Sequence, residues 1–218
     1  MRSGLISFNW DDIDSFSEEQ ISYYLYLEGK SIKVISKIRN IEEAVVQKHV
    51  INGKIKYRIL SLSKNCSELL DNIASSVKQE KLTLLSTMEN ERKEELLKFI
   101  NENYASMTSK HKETAIWIIG ELKDKNQKSI LIKAAVNKSV NVRRMAVSAI
   151  GKIKDKSFES TLLRVLDDEN DQVIVYAIKA LIKNEIKSAK EKVTKIKENA
   201  NKEYIKNACD EYLKIVNE

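Results

Sequence analysis

The stretch VNVRRMAVSAIGKI, residues 140–153, decides the fold, because its pattern recurs through the second half of the chain. Three other stretches align with it at a constant interval of 31 residues: ETAIWIIGEL at 113–122, VYAIKALIKN at 175–184 and KNACDEYLKI at 206–215. The alignment places four alanines in one column: Ala115, Ala146, Ala177 and Ala208. A fixed period of this size is typical of stacked repeat proteins.

Each repeat is predicted to contain two helices, with the alanine column in the second. An apolar column in the first helix keeps the same period of 31 residues, and it consists of Ile100, Leu131, Leu162 and Val193. Gly120 and Gly151 follow the alanines at one further column. Because glycine inside a helix costs about 1 kcal/mol relative to alanine, its recurrence predicts close packing between neighbouring second helices. Ser139 and Asn170 align in the loop between the two helices, where each is predicted to cap the second helix.

Residues 142–151 resemble HEAT repeats, through the order Val-Arg-x-x-Ala-x-x-Ala-Ile-Gly. The likeness is to the short form found in many bacterial proteins, including relatives of the phycobilisome-lyase type. Two departures are the missing proline in the first helices and Val173-Ile174 in place of Val-Arg. The resemblance implies an all-α solenoid of helix pairs that binds other macromolecules, while a bilin-lyase activity would rest on fold-level analogy alone.

Short helices are predicted ahead of the repeats. Ser17 and Gln20 form a capping-box pair for the first helix, which is expected to end at Gly29. Ser31 is predicted to cap a second short helix.

A third helix is predicted to begin after Asn40 and to end at Asn52-Gly53. Residues 54–62 fit either a short extended wing or the start of another helix. We therefore expect three parts: a small helical domain at 1–62, connecting and capping helices at 63–90, and the repeat array at 91–218.

The stretch SIKVISKIRNIEEAVVQKHVINGKI, residues 31–55, resembles the helix-turn-helix of bacterial regulators. Together with YYLYLEGKSI at 23–32, it is similar to the helix-turn-helix appended to some bacterial helicases. The resemblance implies DNA contact by the third helix, but Glu42 and Glu43 open that helix with charges that repel phosphates. Eight basic side chains between residues 30 and 58 partly offset them. Five of these are the candidate contacts with a nucleic-acid backbone or an acidic partner: Lys33, Lys37, Arg39, Lys48 and Lys54.

The composition favours a helical protein with a weak positive charge. Charged residues make up 32% of the 218 residues, with 5 glycines and no proline. The net charge of +6 comes from 38 basic and 32 acidic residues, so attraction to nucleic acid is diluted. Two distant cysteines suit a reducing compartment, and no apolar run approaches the roughly 18 residues of a membrane span. These features predict a cytoplasmic protein that does not enter a membrane.

Residue patterns that carry chemistry are scarce, and we predict no enzyme, no cofactor and no metal. The chain has two histidines, no set with metal-ligand spacing and no phosphate-binding glycine loop. The acidic run 167–171 lacks the glycine and final glutamate of an EF-hand, so a capped turn is predicted there. A HEAT-like DNA glycosylase is a minor alternative, but Trp117 has isoleucine neighbours typical of a core and no matching aspartate.

The second helices supply the other candidate contacts, which form a positive strip: Arg143, Arg144, Lys152, Lys179 and Lys183. The strip fits an acidic protein or a nucleic-acid backbone, although a solvated charged face would have the same composition. Two functions follow: an adaptor whose repeats bind a protein partner, or a DNA-binding regulator that uses the helix-turn-helix. The sequence favours the adaptor and leaves the oligomeric state open.

Overall fold

The computed structural model describes residues 4–217, which form helices and turns without a β-strand. Contacts between Cα atoms divide the chain after Phe99 into two compact units. The finer division at residues 62 and 90 stays a prediction. None of the helices within residues 4–217 combines the length and the apolarity needed to cross a bilayer.

The first unit holds six complete α-helices, and a seventh runs through the division: α1 (Glu18–Leu27), α2 (Ile32–Arg39), α3 (Glu43–Lys56), α4 (Arg58–Leu62), α5 (Cys66–Ser75), α6 (Lys78–Thr87) and α7 (Asn90–Asn103). The second unit continues with seven more: α8 (Ser109–Leu122), α9 (Lys128–Ala134), α10 (Val140–Ile153), α11 (Glu159–Val165), α12 (Asp171–Lys183), α13 (Lys190–Asn199) and α14 (Glu203–Asn217). Short 3₁₀ segments precede α1, α8, α9 and α11.

The predicted caps of α1 and α2 are present. Ser17 and Gln20 make both hydrogen bonds of the capping box. Gly29 follows the end of α1 with φ of +89°, a conformation that glycine adopts without strain. The hydroxyl of Ser31 accepts a hydrogen bond from the Val34 amide at 3.3 Å, which caps α2.

The predicted boundaries of the third helix were wrong at both ends. Asn40 does not cap α3; it ends α2 in the left-handed region, with φ of +50°, which asparagine tolerates better than most residues. Glu42 takes the cap position without a side-chain hydrogen bond. At the other end α3 continues through Asn52 and Gly53, because Gly53 serves helix packing instead of a turn. A Cβ on Gly53 would lie 2.3 Å from Cγ of Tyr23.

Residues 54–62 are helical, which decides between the two alternatives left by the sequence. The end of α3 and the whole of α4 cover this stretch, with Tyr57 between them. The core between α2 and α3 consists of Ile35, Val46 and Val50, with partly buried apolar side chains packed around it.

In the second unit, each short first helix packs against the longer second helix that follows it, in the pairs α9/α10, α11/α12 and α13/α14. The second helices α8, α10, α12 and α14 pack in series, each against the next. Ala115, Ala146 and Ala177 are fully buried, and Ala208 is 3% exposed. The predicted stack of helix pairs around an alanine column is therefore confirmed, and the first-helix column is fully buried as well.

The glycine column marks the closest approaches between second helices. A Cβ on Gly120 of α8 would lie 2.8 Å from Cβ of Ala149 on α10. A Cβ on Gly151 of α10 would lie 3.3 Å from Cβ of Ala180 on α12. Real Cβ atoms need more room than the first distance gives, so Gly120 allows an approach that alanine would block.

Of the two predicted loop caps, the one at α12 is present and the one at α10 is not. The side chain of Asn170 accepts hydrogen bonds from the amides of Gln172 and Val173, as predicted. Ser139 occupies the cap position of α10 but makes no side-chain cap hydrogen bond, which corrects the prediction for that residue. Its amide instead donates to Oδ1 of Asn137 at 2.9 Å, so the asparagine orders this loop.

Candidate functional site

The five candidate residues of the first unit fall into two groups. Lys33, Lys37, Lys48 and Lys54 are exposed on α2 and α3. Lys54 also places its ammonium 4.7 Å from the ring centre of Tyr26, a cation–π contact.

Arg39 differs from these lysines because its guanidinium is used inside the unit. It donates to the backbone carbonyl of Glu18 at 2.5 Å and to the hydroxyl of Ser22, and it pairs with the Glu18 carboxylate. Its side chain is only 8% exposed, and burial lowers the pKa of the guanidinium. The structure therefore gives Arg39 a role in joining α2 to α1.

The outward face of α3 carries apolar side chains. Ile51 and Ile55, one turn apart, are 50% and 71% exposed. Ala44 and Lys48 share this face and are also exposed. A helix that reads DNA needs polar side chains here for the base edges, so this face is better suited to an apolar partner.

Arg143 was predicted as a contact, and the structure places it in the interior of the second unit. Its Nε and Nη2 donate to the two carboxylate oxygens of Asp168 at 2.7 and 2.9 Å. Both side chains are less than 10% exposed. The hydrogen bond to Asp168 raises the pKa of the Arg143 guanidinium above its ordinary value. Nη1 also donates to the carbonyls of Asn137 and Lys138, so Arg143 ties together the loops of two successive units.

The acidic run 167–171 forms a turn whose charges are used by basic side chains of this unit. Asp167 pairs with Lys192, and Asp171 with Lys202 at 2.6 Å. Within residues 4–217, no group of three or more His, Cys, Asp or Glu side chains is arranged to hold a metal ion.

The exposed candidates of the second unit lie on one face of its second helices, which we call the second-helix face. On α12, four exposed residues form a stripe at helical spacing, namely Gln172, Tyr176, Lys179 and Lys183. Among residues 4–217, the ammonium groups of Lys179 and Lys183 have no ion-pair partner.

A shallow depression crosses the same helices. It is lined by one residue of α10, three of α12 and one of α14, namely Arg144, Gln172, Val175, Tyr176 and Tyr204. The guanidinium of Arg144 is held in place by hydrogen bonds from Nη1 to Gln172 and from Nη2 to Asn141. Tyr176 and Tyr204 are 41% and 45% exposed, and residues of these types are enriched at protein interfaces. Sequence reasoning missed both tyrosines, and the repeat alignment would not have found Tyr204, because it aligns Tyr204 with the buried residues Val142 and Val173.

A column of charged residues at 31-residue intervals completes the face. It begins with Glu121 and continues with three lysines, which we call the lysine column: Lys152, Lys183 and Lys214. Nζ of Lys152 donates to Oε1 of Glu121 at 2.5 Å, which joins α8 to α10. Lys183 and Lys214 are exposed.

Comparison with known families agrees with this geometry. Residues 94–183 match the family model described as HEAT repeats. The second unit is a HEAT-like array. Its buried alanine column and paired helices are the features that the sequence likeness implied, and the fold is an α-solenoid. No curated protein matches the chain.

Proposed function

We propose that the chain is a non-enzymatic scaffold that binds another protein through the second-helix face of its HEAT-like array. The observation that carries the proposal is the exposed stripe of α12, where Tyr176 lies in line with Lys179 and Lys183. An aromatic anchor beside exposed charges suits protein recognition, because tyrosine contributes buried area while the charges set orientation. HEAT repeats are generally protein-interaction scaffolds. The two unpaired thiols also fit a cytoplasmic setting.

Affinity capture with matched variants tests the scaffold function. The full chain is immobilised, and retained proteins are compared between wild type, Tyr176→Ala and Leu62→Ala. Both residues are exposed and apolar, but Leu62 belongs to the first unit. A partner retained by wild type and Leu62→Ala but lost by Tyr176→Ala supports the proposal. Loss of the partner only in Leu62→Ala would contradict the proposal and show that the binding surface lies in the first unit.

DNA binding by the helix-turn-helix-like segment is the second candidate. It is supported by four exposed lysines on α2 and α3, whose charges suit contacts with backbone phosphates. Ile51 and Ile55 on the outward face of α3, together with Glu42 and Glu43 at its start, weigh against it.

Gel shifts on random duplex DNA at increasing salt test this second candidate. DNA binding predicts a shift at low salt that weakens steeply with added salt and is lost on reversing Lys33, Lys37 and Lys48. The same reversals would leave capture of a protein partner unchanged if the scaffold function is correct.

A further inference from the structure

We propose that the lysine column binds carboxylates of an acidic segment of the partner protein, with the main contact at Lys183. The inference rests on the proposed scaffold function and names the chemistry of its partner. It follows from a comparison of two equivalent positions in the array.

At the first position, the chain supplies its own carboxylate. Glu121 on α8 accepts a hydrogen bond from Nζ of Lys152 on α10 at 2.5 Å. The two side chains are only 23% and 33% exposed, so the ion pair is largely enclosed. The stem of Lys152 passes Gly120, with Cδ 3.7 Å from the position that a Cβ on that glycine would take.

At the second position, the same geometry recurs with the carboxylate replaced by an ammonium group. Lys183 on α12 passes Gly151 in the same way, with its Cδ 3.5 Å from the corresponding Cβ position. The residue that corresponds to Glu121 is here Lys152, whose ammonium group already pairs with Glu121, so the column supplies no carboxylate for Lys183. A carboxylate from outside the chain would give Lys183 the ion-pair partner that Glu121 gives Lys152.

The lysines around this position have the charge to hold an added carboxylate. Lys179 lies one turn before Lys183 on the exposed stripe of α12. Its ammonium group has no ion-pair partner among residues 4–217. The stem of Lys183 packs beside Gly151, which reduces the ordering required when a ligand binds.

An acidic protein segment fits this surface better than a nucleic acid does. The positive charge is interrupted by Glu121 on α8, which pairs with Lys152, and by Asp210 on α14, which pairs with Lys197. A continuous phosphate backbone would meet these carboxylates, whereas single acidic side chains meet only the lysines between them. Tyr176 on the same stripe offers an aromatic contact for the residues beside an acidic one.

Fluorescence anisotropy with the full chain tests the inference. The probe is a short labelled peptide of alternating glutamate and alanine, compared with its glutamine counterpart and with random duplex DNA. The test variant is Lys183→Glu, and the control is Lys133→Glu, which makes the same charge change at an exposed position of the first helix α9. We expect Lys183→Glu to weaken binding of the glutamate peptide by about tenfold and Lys133→Glu by less than about twofold.

A charge exchange provides a second variant with the net charge unchanged. Glu121→Lys combined with Lys152→Glu moves the internal carboxylate one step along the column, beside Lys183. This double variant is expected to lose the peptide as Lys183→Glu does, because the chain then fills the position itself.

Three results would overturn the inference. Equal weakening by Lys183→Glu and Lys133→Glu would mean that only diffuse charge attracts the peptide. Tighter binding of duplex DNA, lost on Lys183→Glu, would assign the column to nucleic acid. A captured partner that binds Lys183→Glu normally would leave the scaffold function standing and remove the lysine column from it. Conversely, selective peptide loss without any captured protein would support the column and count against the scaffold function.

Discussion

Gly120 and Gly151 occupy the same column, but the space around them differs. Replacing either by alanine gains about 1 kcal/mol of helix propensity. At Gly120 the new Cβ would lie 2.8 Å from Cβ and 2.9 Å from Cα of Ala149, and such overpacking costs about 1–3 kcal/mol. At Gly151 the distances to Ala180 are 3.3 and 3.4 Å, so the neighbour has to shift slightly, and the cost of that shift offsets most of the propensity gain.

We therefore expect Gly120→Ala to lower the free energy of unfolding by about 1 kcal/mol, and Gly151→Ala to change it by less than about 0.5 kcal/mol. Urea unfolding followed by circular dichroism measures both. Equal destabilisation by the two changes would show that the distances do not govern the cost.

The buried ion pair of Arg143 and Asp168 makes a second prediction at this scale. Removing one partner leaves the other charged and enclosed, so Arg143→Met or Asp168→Leu alone should cost about 3–5 kcal/mol. The double variant should cost clearly less than the sum of the two, because no unpaired charge remains. Additive losses in urea unfolding would mean that the two side chains act independently.

Arg143 also shows what the residues alone could not predict. The sequence placed it on a second helix among basic neighbours, which fits an exposed contact. Its burial depends on Asp168, 25 residues later, and on the loop path that carries this carboxylate back to α10. The pairing arises from the stacking of units, so the pattern of apolar and polar residues within one unit could not predict it.

At the scale of elements, His49 on α3 contacts α1, and it makes the stability of the packing between these two helices depend on pH. Its Nδ1 lies 3.1 Å from the hydroxyl of Ser22. Burial, followed by the charge of Arg39, lowers the pKa of the imidazole below its ordinary value of 6.5, with Glu19 opposing and Lys48 adding to the shift. The folded chain thus binds fewer protons than the unfolded chain in the range below pH 6.5.

The stability contributed by neutral His49 is therefore present above pH 6.5 and is lost as the pH falls below that value. We expect His49→Gln to remove this part of the acid sensitivity. Unfolding of wild type and variant across the pH range, with an NMR titration of the imidazole, measures the effect. An imidazole pKa at or above 6.5 would contradict it.

Cys209 reports on the packing of α14. The thiol is fully buried, and burial raises its pKa to about 11. Since the thiolate is the reactive form, alkylation of the folded chain should be much slower at Cys209 than at Cys66, which is only partly buried. Mass spectrometry after timed iodoacetamide treatment gives the two rates. Similar rates in the folded chain would show that α14 is loosely attached.

The predicted ends of α3 failed because two residues have more than one use in helices. Asparagine is common both at the start of a helix and, in the left-handed conformation, just after its end. In the structure Asn40 takes the second role and ends α2. Glycine often ends a helix, but Gly53 lies inside α3, where the ring of Tyr23 occupies the space that a side chain would take. The role of Asn40 depends on where α2 ends and that of Gly53 on Tyr23, 30 residues earlier, so the local pattern of α3 specifies neither.

At the scale of the whole molecule, the 31-residue period predicted the array well. Every unit of the period places a buried alanine at the same position of its second helix, so the sequence pattern follows from the packing. The exposed site was predicted less well, since the lysines on α12 were identified while Tyr176 and Tyr204 were not. Exposed positions have no comparable periodic requirement, and their residue types therefore give a weaker signal.

The central claim is that small residues at this interval let successive second helices pack against each other. Methyl NOE spectroscopy on an alanine-labelled, otherwise deuterated sample with protonated glycine tests it directly. The account predicts strong NOEs from the Gly120 Hα protons to the Ala149 methyl and from Gly151 Hα to the Ala180 methyl. Absence of both NOEs, with the two alanine methyls reporting contact with solvent, would contradict it.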